Sequence, residues 1–169
     1  MPVDTKTEQF DEKRSLAEAE IKNLSHRYAL ALDRSDFEEW ETLFTSDVVW
    51  QTAGRPAFSG LTEVMEVPRR LHGAFKNTFH AVLTQVVKFS GADTTGIVYC
   101  AAHHLIDYDF VSPGRDPIGM SYQFLMRYED KYRKEDGRWK FAARKLIMVT
   151  RQIDQIVQFA PDGTWSAAS

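Results

Sequence analysis

Four side chains able to move a proton or bind an anion sit in apolar surroundings in this chain. They are Asp33 after Tyr-Ala-Leu-Ala-Leu, His80 within Thr-Phe-His-Ala-Val-Leu, His103 after Cys-Ala-Ala and Arg144 after Phe-Ala-Ala. A polar group in such a place needs a partner, because water no longer solvates it. A carboxylate held against an imidazole makes an oriented general base: the acid selects the ring tautomer and stabilises the imidazolium that proton abstraction leaves behind. An arginine among small apolar residues either binds a substrate oxygen or pairs with an internal acid. His103 and His104 are adjacent, and adjacent strand residues point to opposite faces, so only one can serve a given pocket. His103 is expected to take that role and His104 to face away. His26 and His72 lack apolar context and read as solvated or interfacial.

The remaining composition narrows the chemistry. The 169 residues are 43% hydrophobic with 24 acidic and 21 basic side chains, a formal charge of −3. This suits one ordinary globular core and gives no electrostatic drive towards nucleic acid or anionic lipid. Cys100 is alone, so neither an internal disulfide nor a thiolate-rich zinc site is expected, and a cytoplasmic protein is the expectation. There is no G-x-G-x-x-G, P-loop, G-x-S-x-G or H-E-x-x-H sequence, so neither a cofactor nor a metal is expected. The polar N-terminus and the lack of an apolar run of about 18 residues predict neither a signal peptide nor a membrane span.

The elements that must position these residues follow from periodicity. Leu16, Ile21, Leu24, Tyr28 and Leu32 recur at helical spacing, with residues 1–12 outside the fold or frayed. This helix should stop near Asp33, where Ser35-Asp36-Phe37-Glu38 resembles a capping box opening a short second helix that buries Phe37, Trp40, Leu43 and Phe44. A break at Thr45-Ser46-Asp47, a strand over 48–52 and a third helix over 61–75, kinked or split by Pro68, come next. From Thr78 the pattern changes to four long antiparallel strands, separated by turns at 91–93, 112–117 and 135–137. Along 120–132 Met120, Tyr122, Phe124, Met126, Tyr128 and Tyr132 alternate with polar residues, and Leu125 and Asp130 break the alternation. Near the C-terminus Arg144 shares a face with Ala142 and Leu146, opposite Trp139 and Phe141. Helices followed by a meander predict an α+β fold, one domain over 10–160 with flexible termini at 1–9 and 161–169.

The run IKNLSHRYALALDRSDFEEWETLFTSDVVW, a Gly-Arg turn followed by FSG, TFH before the first long strand and YEDKYRKEDGRWKFAARK together resemble the SnoaL-like branch of the nuclear-transport-factor-2-like superfamily over about residues 14–155. The resemblance implies a cone-shaped barrel, a strongly curved and mostly antiparallel sheet packed against three N-terminal helices with a pocket at the wide end. Its catalytic members include scytalone dehydratase, hexachlorocyclohexane dehydrochlorinase, bile-acid 7α-dehydratase and polyketide cyclases. Noncatalytic members include small subunits of aromatic-ring dioxygenases. In the lyases an Asp ending the first helix pairs with a His starting the first long strand, which here implies Asp33 and His80. Tyr28 and Arg144 match positions of the bile-acid dehydratase, and His103 falls at the site of its acidic residue.

What the resemblance implies is a cofactor-independent lyase or isomerase, of dehydratase or dehydrohalogenase type, acting on a small, cyclic, mostly apolar substrate. His80 would be the base, Asp33 its orienter, and Tyr28, His103 or Arg144 the stabilisers of developing negative charge, with Ala101 and Trp50 against the substrate. A homo-oligomer, most often a trimer, is implied too. The alternatives are a noncatalytic dioxygenase subunit or ligand carrier and a polyketide cyclase. One geometric demand accompanies the set. At 100° per residue Asp33 lies about 140° from Tyr28, so both reach one pocket only if the helix ends there.

Overall fold

Residues Thr5–Asp33 form a 29-residue helix, α1, in a computed structural model that describes residues 5–91, 93–107 and 119–156. The helix begins well before residue 12, contrary to the expected frayed start. Ile21, Leu24, Tyr28 and Leu32 are buried as their spacing requires, whereas Leu16 is exposed. The expected turn at 112–117 and the tail at 161–169 lie outside the described residues.

The second helix, α2 (Phe37–Thr42), is capped by Asp36, whose carboxylate accepts the Glu39 amide at 3.0 Å. Ser35 was the expected cap. Instead it takes a left-handed backbone (φ 57°) and places its hydroxyl 3.2 Å from His72 Nδ1. Strand β1 (Phe44–Thr52) runs through the expected break at 45–47, with an irregularity in its pairing between Phe44 and Val49. After the short β2 (Phe58–Ser59), the third helical segment is split at Met65 into α3 (Leu61–Val64) and α4 (Glu66–Ala74). Pro68 falls in the first turn of α4, where a helix leaves its amides unbonded anyway, so the proline fits.

The four long strands are β3 (Asn77–Ser90), β4 (Asp93–Asp107), β5 (Gly119–Glu135) and β6 (Arg138–Ile156). They extend a six-stranded sheet of order β2-β1-β6-β5-β4-β3, antiparallel except where β1 runs parallel to β6. Single-residue bulges interrupt β3 between Val82 and Gln85 and β6 opposite the Leu125/Met126 and Lys131/Tyr132 steps. Bulges bend and twist a strand, and here the sheet curls around the helices without closing on itself. The core between them holds Ile21, Leu24, Trp40, Phe44, Val48 and Phe141. Among the described residues no helix is long and apolar enough to cross a membrane.

Candidate active site

The end of α1 positions the acid. The helix stops at Asp33, and the His72 ring on α4 lies 2.7 Å from the Leu32 carbonyl through Nε2. A carbonyl only accepts, so Nε2 carries the hydrogen, and Nδ1 is left as acceptor for Ser35. His72 is therefore interfacial, pinning the turn on which Asp33 sits. From there the Asp33 carboxylate accepts three hydrogen bonds: from Thr78 Oγ1 at 2.9 Å, the His80 backbone N–H at 2.8 Å and His80 Nδ1 at 2.6 Å. Burial pushes the Asp33 carboxyl towards neutrality, but these bonds and the nearby imidazole outweigh it and hold the group below the ordinary carboxylate range.

An ionised carboxylate accepts only, so His80 Nδ1 carries hydrogen and Nε2 of the neutral ring is a lone pair. That nitrogen lies 3.3 Å from Nε2 of His104. His80 pairs opposite Ala102, and His104 follows two residues along β4 on the same buried face. Burial, then the neighbouring His80, depress His104 to about 3. It is therefore a neutral imidazole at physiological pH, able to donate from Nε2. Its Nδ1 is buried without a partner among the described residues.

Both histidines line a cavity of about 580 Å³ between the sheet, α1 and α4. Its walls are apolar or aromatic: Trp50, Tyr28 and Tyr128, with Met126, Leu146, Leu71 and Phe75. Tyr28 enters from the buried stripe of α1, and Asp33, where the helix ends, meets the cavity through His80. Its phenol is raised above its ordinary value by burial, against the lowering influence of Arg144. It stays protonated and can act as a donor. Trp50 also lines this cavity.

Arg144 lies behind that wall. It is 1% exposed at the side chain and forks onto Asp130 through Nε at 2.9 Å and a terminal nitrogen at 2.8 Å. Its guanidinium carbon stands 4.2, 4.2 and 4.0 Å from the ring centroids of Tyr28, Tyr128 and Phe141. Tyr132 donates to the same Asp130 carboxylate at 3.0 Å. Gly96 lies opposite Asp130, and a β-carbon there would come within 2.9 Å of the Tyr132 ring. Phe141 and Arg144 thus share a face, contrary to expectation. Tyr132 pairs with Phe141 and Lys131 with Ala143, so Ala142 is an extra residue that reverses the alternation.

Two expected site residues are elsewhere. His103 and Ala101 occupy the outer face of β4, His103 beside Phe79 (ring centroids 6.4 Å) and 3.5 Å from the Ser121 hydroxyl. Val98, Cys100, Ala102 and His104 are the buried set, so the expected assignment of His103 inward and His104 outward is reversed. A second concavity, about 470 Å³, lies on the outer face and is lined by Val49, Val86, Ile97 and the lysines Lys88, Lys131 and Lys145. It contains neither His80 nor His104. Among the described residues no group of three or more His, Cys, Asp or Glu side chains is placed to hold a metal ion.

A hydrogen-bonded acid and imidazole at the wall of an apolar cavity, on a curled sheet wrapped over helices, define a protein of the α+β class with a pocket between its layers. The family model for the SnoaL-like domain matches residues 13–145, and the chain belongs to that family. Its fold is shared with a hexachlorocyclohexane dehydrochlorinase (LinA type 2), at 19% identity and a TM-score of 0.75, covering 91% of this chain and 99% of that one. A LinA type 3 dehydrochlorinase from Novosphingobium barchaimii shows 18% identity and a TM-score of 0.73, over 89% and 99% of the two chains. A scytalone dehydratase-like protein from Novosphingobium aromaticivorans shows 20% identity and a TM-score of 0.72, over 92% and 99%. No curated protein matches the sequence.

Proposed function

We propose that the protein is a lyase or isomerase acting on a cyclic, mostly apolar small molecule by general-base removal of a proton from carbon. The observation that carries this reading is the 2.6 Å contact between Asp33 and His80 Nδ1, which leaves His80 beside an apolar cavity. His80 Nε2 takes the proton, and Asp33 offsets the imidazolium charge. The electron pair of the broken C–H bond forms a double bond as hydroxide or halide departs, or an enolate that is reprotonated elsewhere. Tyr28, and His104 in the place first given to His103, donate to the developing negative charge. Arg144 acts through Tyr28, against whose ring it is packed.

The experiment is a panel of cyclic β-hydroxyketones and ring halides followed by the ultraviolet absorbance of the new double bond. Turnover by the wild type should fall at least about a hundredfold in His80→Ala, in the range typical of a general base, and partly return with added imidazole. It should persist in excess chelator. Turnover in His80→Ala equal to the wild type would remove the assignment.

The outer face of the sheet supports the proposal of a homo-oligomer, a trimer being the expected form. Phe79 and Val86 are each 60% exposed, and Leu83, Ile97, Tyr99, Leu125 and Val149 are further exposed apolar side chains of these strands, the kind of surface that marks an interaction site when it is contiguous. A second copy would cover it. Light scattering at micromolar concentration should give a mass near three chains, and a clean single-chain mass would contradict the proposal.

A further inference from the structure

The walls of the cavity explain how an apolar ring is held, but its mouth is of a different kind. Arg55 and Arg70 line it, and no aspartate or glutamate does, although acidic residues outnumber basic ones 24 to 21 in the chain. Neither arginine has an ion-pair partner among the described residues. The contrast with the preceding residue is direct: Arg69 is tied to Glu66 at 2.8 Å one turn away, while Arg70 is turned to the cavity and stacks at 5.3 Å on the Phe58 ring. Phe58 pairs with Trp50, a wall residue, in the β1–β2 ladder, so the guanidinium lies beside the wall. Arg55 is held at its backbone, its amide donating to the Thr52 carbonyl at 3.0 Å and its carbonyl accepting from Gln51 Nε2 at 3.0 Å.

We infer that Arg55 and Arg70 bind an acidic group on the substrate, a carboxylate or a phosphate, at the end of the molecule remote from the carbon that loses its proton. The inference rests on the reading of this cavity as the substrate site. Guanidinium groups offer several donors in a planar fork and bind such oxyanions in pairs of hydrogen bonds. An acid anchored at the mouth directs the apolar body inward and brings its far end to His80. The arginines are binding and orienting residues, with no part in the proton transfer.

Two fluorescent probes share an apolar body and differ in charge: 8-anilinonaphthalene-1-sulfonate and the neutral N-phenyl-1-naphthylamine. The wild-type protein should bind the sulfonate about tenfold or more tightly than the amine, and Arg55→Gln/Arg70→Gln should remove that preference while leaving the amine unchanged. Lys131→Gln/Lys145→Gln, an equal loss of charge on the outer sheet face, should leave the preference intact. Leu71→Trp fills the cavity and should weaken both probes; Ala57→Trp at the mouth serves if Leu71→Trp does not fold. Displacement of the sulfonate by cyclohexylacetate or by cyclohexyl phosphate, against the methyl ester of the former, identifies the acid. If filling the cavity abolishes both probes but the arginine variant keeps the preference, the inference is overturned and the pocket reading stands. Should neither filling variant weaken either probe, both are overturned.

Discussion

Two hydrogen-bonded pairs of an acid and a nitrogen base tie the structure together, and they are built differently. Asp130 and Arg144 face each other across β5 and β6, forked at 2.8 and 2.9 Å, with Tyr132 on the acid and three aromatic rings around the cation. Two guanidinium nitrogens bond the two oxygens of the acid, and the rings enclose the cation. Asp33 and His80 join α1 to β3, also at close range, but the acid side chain is 17% exposed and the histidine borders a cavity with its second nitrogen facing only another neutral imidazole. Burial and pairing are common to both. What differs is the surroundings: His80 and the His104 ring it meets both line the 580 Å³ cavity, whereas the Arg144 guanidinium is packed among three aromatic rings.

The largest expected effect breaks the Asp130–Arg144 brace. Arg144→Met leaves Asp130 buried without its cation, and removing one partner of a buried pair costs about 3–5 kcal/mol. Urea unfolding should show that loss, and Arg144→Met/Asp130→Leu should recover most of it, because apolar replacement of both partners removes the orphaned charge. A single variant as stable as the wild type would show that the pair holds nothing.

A smaller effect concerns the histidine beside the dyad. His104 has a folded value of about 3 against an ordinary 6.5, so between those values the unfolded chain binds a proton that the folded chain refuses. Its contribution is fully present above pH 6.5 and is lost as pH falls, at up to about 1.4 kcal/mol per pH unit. Asp33, held below its ordinary range, adds its own loss only at lower pH, below about 4. His104→Phe, placed against Phe75 and Phe124, should flatten the unfolding free energy between pH 6.5 and 4.5. An unchanged slope would mean that His104 is not held neutral by burial.

How much of this could be read beforehand varies residue by residue. Asp33 and His80 stood out as polar groups in apolar runs at the ends of elements, and the structure brings them into contact. His104 did not, because both alternating sets on β4 are apolar: Val98, Cys100 and Ala102 against Ile97, Tyr99 and Ala101. A period of two reports alternation and is silent on which set faces the helices; only the pairing of His80 opposite Ala102 decides it. The partner of Arg144 was visible in another form. Asp130 occupies an even-numbered position among Tyr128 and Tyr132, so it interrupts the apolar chemistry of that face while keeping its geometry. An acid and an arginine each alone in a buried strand face are candidates for one another. The bulge at Ala142, which puts Phe141 and Arg144 on one side, leaves no such mark, since any small residue fits it.

The most direct measurement is the pH dependence of kcat/KM for the wild type and Asp33→Asn on the substrate found by the panel, with the unfolding midpoint of each. Asparagine keeps the shape of the side chain but no longer offers a charge to the imidazolium. The wild type should lose activity on the acid side through a single group. Asp33→Asn should fall at least about a hundredfold at its plateau while remaining folded, since an orienter and its base act as one unit. A folded Asp33→Asn protein with wild-type kcat/KM at every pH would contradict the account and make the Asp33–His80 pair a second brace.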